Sequence, residues 1–72
     1  MSESINKRLK SIGTKIKHLR IENDLSQEKL AEIVDLSREH ISCIERGKYA
    51  IKLDNLYKIA DAFNVDIKHF FD

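Results

Sequence analysis

The stretch Ser37-Arg38-Glu39-His40-Ile41-Ser42-Cys43-Ile44-Glu45-Arg46-Gly47-Lys48 concentrates the side chains that could do chemistry. On a helix turning about 100° per residue, Glu39, Ser42, Cys43 and Arg46 share one side, with Arg38 at its leading edge. Ile41 and Ile44 point the other way, toward a core. A guanidinium fork, a carboxylate, a hydroxyl and a thiol in one row offer hydrogen-bond donors and acceptors on one side of the helix. The same row contains His40 and Cys43, three apart, which is half of a zinc site. No second pair stands at ligand spacing, and His18 and His69 are isolated, so no metal is expected. No nucleotide-binding loop, nucleophile elbow or metalloprotease motif occurs. Asp61 and Asp66 look like surface charges, not an acid/base couple. The chain is therefore not expected to be an enzyme, and no cofactor is expected.

The elements that must hold this row announce themselves by repetition. Asp24-Leu25-Ser26-Gln27-Glu28 is echoed eleven residues later by Asp35-Leu36-Ser37-Arg38-Glu39. Ser26 and Ser37 are both good helix N-caps, because a serine hydroxyl accepts from backbone N–H groups left free in the first turn. Glu28 and Glu39 then place negative charge where the macrodipole favours it. Leu25 with Leu30, and Leu36 with Ile41, fit the hydrophobic staple that sets the entry angle of a helix. The echo thus predicts two helix starts of the same geometry. Between them fits one short helix, Gln27 to Val34, and Asp35 occupies a turn where a left-handed residue is often needed. Two short helices on such a turn form a helix-turn-helix unit, here about residues 27–46.

Ile5, Leu9, Ile12, Ile16 and Leu19 predict a helix ending at Asn23 or Asp24, with Gly13 costing it about 1 kcal/mol relative to Ala. Residues 1–10 either extend that helix or form a flexible arm. Gly47 suits the position after the second short helix. Leu53, Leu56, Ile59, Ala60 and Phe63 trace a further helical face, Asn64 can end it, and Asp66 can cap a last short helix carrying Ile67, Phe70 and Phe71. The expectation is an all-α, five-helix domain spanning residues 1–72, with no residues left for an effector domain. A chain of 72 residues buries only about 60% of its unfolded surface, so its core is small. The single Cys43 excludes an internal disulfide and is consistent with a reducing, cytoplasmic setting. No apolar run approaches a membrane span.

The net charge of +1 names no partner. Its distribution says more: residues 1–23 hold six Lys/Arg against two acids, whereas residues 24–46 hold three against six. A nucleic-acid binder with this sequence has to work by local placement of charge.

The run SQEKLAEIVDLSREHISCIERGK, followed by LYKIADAFNV, resembles the Cro/repressor-type helix-turn-helix family, with its compact lambda-repressor-like fold. Gln27, Leu30-Ala31, Ile41, Ile44, Glu45-Arg46-Gly47-Lys48, Ile59-Ala60 and Val65 carry the likeness. Asp35 departs from the family's usual glycine, and residues 48–52 lack its common proline. The resemblance implies a sequence-specific, double-stranded-DNA-binding regulator, similar to small phage repressors and restriction–modification controller proteins. It places Arg38, Glu39 and Cys43 at base-reading positions, and Ser42 lies beside them. Arg38 suits guanine O6 and N7, Glu39 suits cytosine N4, and Cys43 a thymine methyl. Gln27 corresponds to a phosphate-clamping glutamine. Ser37, His40, Arg46, Lys48 and Tyr49 are further phosphate-binding candidates, and Lys15 and Lys17 could add long-range attraction. Arg20 and Glu45 fall at positions that pair in phage repressors.

The C-terminal NVDIKHFFD suggests how two copies meet. If Phe70 follows Ile67 inward, Phe71 lies at the edge near Val65, and the two form a candidate homodimer contact. The rival to DNA binding is a protein-interaction module, such as an antitoxin or anti-regulator whose acidic 24–46 segment faces an unknown protein partner.

Overall fold

The computed structural model describes residues 2–71, with side chains from residue 4. Four helices follow in order: α1 (Ser2–Glu22), α2 (Gln27–Val34), α3 (Arg38–Glu45) and α4 (Leu53–Phe63). A 3₁₀ helix, Ile67–Phe71, closes the described chain. The fold class is all-α, but the fifth element is not the α-helix expected. Its turn is set by the Asp66 carboxylate accepting from Lys68 N and the Asp66 carbonyl accepting from His69 N. That second bond spans three residues, and a five-residue segment is typical of such short tight helices.

Residues 2–10 extend α1 as a continuous helix, not an arm; Met1 lies outside the described residues. Both repeated serines cap as expected: Ser26 Oγ accepts from Lys29 N and Ser37 Oγ from His40 N. The stops are left-handed residues. Asp24, Asp35 and Asn64 have φ of 57°, 59° and 55°, and Gly47 has 72°. A short polar side chain tolerates this conformation better than most, which is why Asp35 stands in for glycine in the α2–α3 turn.

The core is formed by Ile16 of α1, Leu30, Ala31 and Val34 of α2, Ile41 and Ile44 of α3, Leu56, Ile59 and Ala60 of α4, and Phe70. Two residues expected on buried faces are not there. Ile5, in the first turns of α1, and Leu53, the first residue of α4, are both exposed at helix ends. Asn55 is buried in the first turn of α4 instead.

Gly13 has a different part from the expected weak point. A Cβ built there would overlap the Ile44 carbonyl oxygen and stand 2.8 Å from that of Glu45. The glycine lets α1 lie directly on the last carbonyls of α3, so the backbone of the presenting helix is held by backbone contact as well as by side-chain packing.

Candidate nucleic-acid interface

The amphipathic split of α3 is what creates the site. Ile41 and Ile44 are buried, as expected, and Glu45 joins them at 5% exposure. Arg38, Glu39 and Arg46 are exposed, while Ser42 and Cys43 are half-buried beside them. The four base-reading candidates Arg38, Glu39, Ser42 and Cys43 thus share one accessible face. Arg46 bends back along it, donating from Nε to the Ser42 carbonyl at 3.3 Å and from Nη2 to Cys43 Sγ at 3.6 Å. The Cys43 thiol is therefore covered in part by a guanidinium, an arrangement the spacing alone did not suggest.

Behind this face sits an ion pair that locks three elements. Arg20 Nε meets Glu45 Oε2 at 2.7 Å and Arg20 Nη2 meets Oε1 at 3.1 Å. The remaining guanidinium nitrogen, Nη1, donates to the Leu25 carbonyl at 2.8 Å. The pair implied by the resemblance is present, and its side chains are only 12% and 2% exposed. Gln27 joins it, its Nε2 donating to Glu45 Oε1 at 3.0 Å. The resemblance gives Gln27 a phosphate contact and no sign of this third partner in the ion pair. The carboxylate thereby fixes the orientation of the Gln27 amide at the start of α2. A bidentate fork holds direction as well as distance, so α1, the α1–α2 turn, the start of α2 and the end of α3 move together.

The other phosphate candidates surround α3. Ser37 and Lys48 are exposed, and Tyr49 is exposed with its ring edge-on to half-buried His40 at 6.2 Å. Lys48 N bonds the Cys43 carbonyl, so the turn after α3 is tied to the helix it leaves. Lys17 is exposed and Lys15 half-buried on α1. Phe70 is buried at 1% and Phe71 exposed at 59%, the division expected of adjacent residues. Val65 packs against the core and is half-buried. No helix among the described residues is long and apolar enough to cross a membrane.

The family model HTH_3, described as helix-turn-helix, matches residues 16–70. Control protein C.BamHI of Bacillus amyloliquefaciens is 44% identical over 61 residues, covering 83% of this chain and 75% of that one. Control protein C.MunI of a Mycoplasma species is 43% identical over 60 residues, covering 82% and 81%. Among solved structures, the restriction–modification controller protein C.AhdI of Aeromonas hydrophila superposes with a TM-score of 0.85 at 32% identity, over 92% of this chain and 96% of that one.

Proposed function

The chain belongs to the helix-turn-helix family and is a DNA-binding transcriptional regulator, and on that premise we propose that it acts as a two-fold dimer on a pseudo-palindromic operator. The observation that carries the reading is the row on α3, exposed at Arg38, Glu39 and Arg46 and half-buried at Ser42 and Cys43, backed by a buried ion pair. A helix of this kind lies in the major groove, where its leading residues meet base edges while phosphate contacts set its register. Arg38 reads guanine, with Glu39, Ser42 and Cys43 discriminating at neighbouring bases. Gln27, Ser37, His40, Arg46, Lys48 and Tyr49 hold the backbone on either side. Similarity to controller proteins of restriction–modification systems suggests that kind of genetic setting.

The division of labour can be tested by selecting duplexes from a random pool and repeating the selection with variants. Arg38→Ala should relax the preference at one symmetric position, at about 1–3 kcal/mol of discrimination. Gln27→Ala should weaken binding to all duplexes more evenly, because it acts on the backbone and on Glu45. If both variants alter the selected motif equally, the assignment of Arg38 to a base is wrong. If the protein itself retards no duplex, the DNA-reading role fails and a protein-only role replaces it.

The dimer has its own test. Two recognition helices related by a two-fold stand about 34 Å apart, so half-sites lie about 10 bp apart. Phe71 is the exposed anchor and lines a groove with Arg8, Ser11, Ile12 and Phe70; half-buried Val65 is the second candidate contact residue. Sedimentation should show a wild-type dimer at micromolar concentration, and Phe71→Lys should shift it to monomer with loss of cooperative operator binding. A wild type that stays monomeric at high micromolar concentration and fills single half-sites independently would refute the dimer.

A further inference from the structure

The N-terminal turns of α1 form a second positive surface that the reading above does not use. Lys7 and Lys10, one helical turn apart and both exposed, line a shallow groove on α1 with Ser11 and Thr14. Gly47 fixes where this groove lies. A Cβ at Gly47 would stand 2.7 Å from Lys10 Cα, so the α1 backbone at Lys10 rests on the turn that ends the reading helix, next to Lys48 and Tyr49. A neighbouring side of the same α1 turns, through Arg8, Ser11 and Ile12, borders Phe70 and Phe71. These turns therefore lie between the end of α3 and the proposed two-fold contact. Local charge makes the position matter: residues 24–46 carry three Lys/Arg against six acids, so the reading unit attracts phosphate poorly on its own. Both lysines precede residue 16, where the family match begins.

We propose that Lys7 and Lys10 together hold one DNA phosphate per protomer, on the dyad side of the reading helix, in the segment between the two half-sites. The proposal rests on the two-fold duplex-binding reading above. Lysine ammonium groups on flexible stems suit such a contact, since they act as point charges with freely turning donors. The Ser11 and Thr14 hydroxyls in the same groove supply neutral donors beside them. The competing explanation is local: a cation at Lys10 lies close to the last carbonyls of α3, where the helix macrodipole favours positive charge. That effect would act on stability and leave DNA untouched.

The test uses the whole chain and a duplex that it selects from a random pool. The Lys7→Gln, Lys10→Gln double variant keeps helix-forming residues at exposed sites. Its affinity should fall roughly five- to tenfold at low salt, and the dimer's salt slope should fall by about 2, at roughly 0.9 per phosphate. The selected motif and the Tm should not change. Neutral methylphosphonates placed singly along the duplex should weaken the parent at one symmetric spacer position and leave the double variant indifferent there. Both proteins should remain sensitive at the phosphate served by Gln27. An unchanged slope and methylphosphonate pattern would overturn the proposal, as would sensitivity lost only outside the half-sites. A lowered Tm with an unchanged slope would also overturn it, assigning Lys10 to the α3 dipole. Failure of the parent to bind any duplex would remove the underlying reading as well, whereas a parent that binds while the variant matches it removes this contact alone.

Discussion

Arg20→Ala is expected to lower stability by about 3–5 kcal/mol, the usual consequence of removing one partner of a buried ion pair. The Glu45 side chain is 2% exposed and would keep Gln27 Nε2 as its remaining hydrogen-bond donor. The Leu25 carbonyl would lose its guanidinium as well. Against a total of about 0.05–0.15 kcal/mol per residue, such a loss would take a large part of what a small domain has. Urea denaturation measures it directly. Arg20→Lys should recover only part, because a point charge cannot form the two parallel bonds that the fork makes. An Arg20→Met, Glu45→Leu pair should recover most of the stability, since buried ion pairs are often replaceable by apolar residues of similar size. That pair should still bind DNA more weakly than the parent, because nothing then fixes the Gln27 amide. A loss under about 1 kcal/mol for Arg20→Ala would be that of a surface pair, and the locking role would have to be given up.

Gly13→Ala is the second large effect, and its sign is diagnostic. Helix propensity alone favours alanine by about 1 kcal/mol in a helix interior. The geometry demands the opposite, because the new methyl would overlap the Ile44 carbonyl oxygen and crowd that of Glu45. Both obstacles are backbone atoms of a helix and cannot swing aside. Overpacking costs about 1–3 kcal/mol when side chains can adjust, and here α1 and α3 must part. A fall in Tm of more than about 10 °C is expected, at roughly 4–8 °C per kcal/mol for a domain of this size. Circular dichroism melting gives the answer, and a Tm equal to or above the parent's would show that the two helices separate freely.

These two residues mark where the sequence was readable and where it was not. Serine caps, left-handed stops and the inward Phe70 are local matters, decided within a few residues by hydroxyls, φ angles and a 100° step. Those were legible. Which side of α1 faces a neighbour is a different kind of fact. Gly13 looked like a weak point because its meaning lies about thirty positions away, in carbonyls that no periodicity reveals. Ile5 and Leu53 fit their apolar stripes, yet a stripe does not say which of its residues are covered. Gln27 was visible as a contact residue from its likeness to a family position, but its bond to Glu45 depends on the rotation of α2 against α3. Which way the row on α3 faces was legible, because the buried isoleucines opposite it fixed its direction.

The left-handed stops at Asp24, Asp35 and Asn64 have a consequence for how such a sequence can change over time. A glycine at any of them would relieve a modest backbone strain in the folded chain. It would also give the unfolded chain more conformations to lose on folding. The two effects oppose one another, so exchange among Gly, Asn and Asp at these corners comes close to neutral. Descendants of this chain can therefore drift through all three residue types at each bend while every helix keeps its length and direction. Glycine content is then a poor guide to the number of corners: this chain has two glycines and no proline, and Gly47 alone of the two ends a helix.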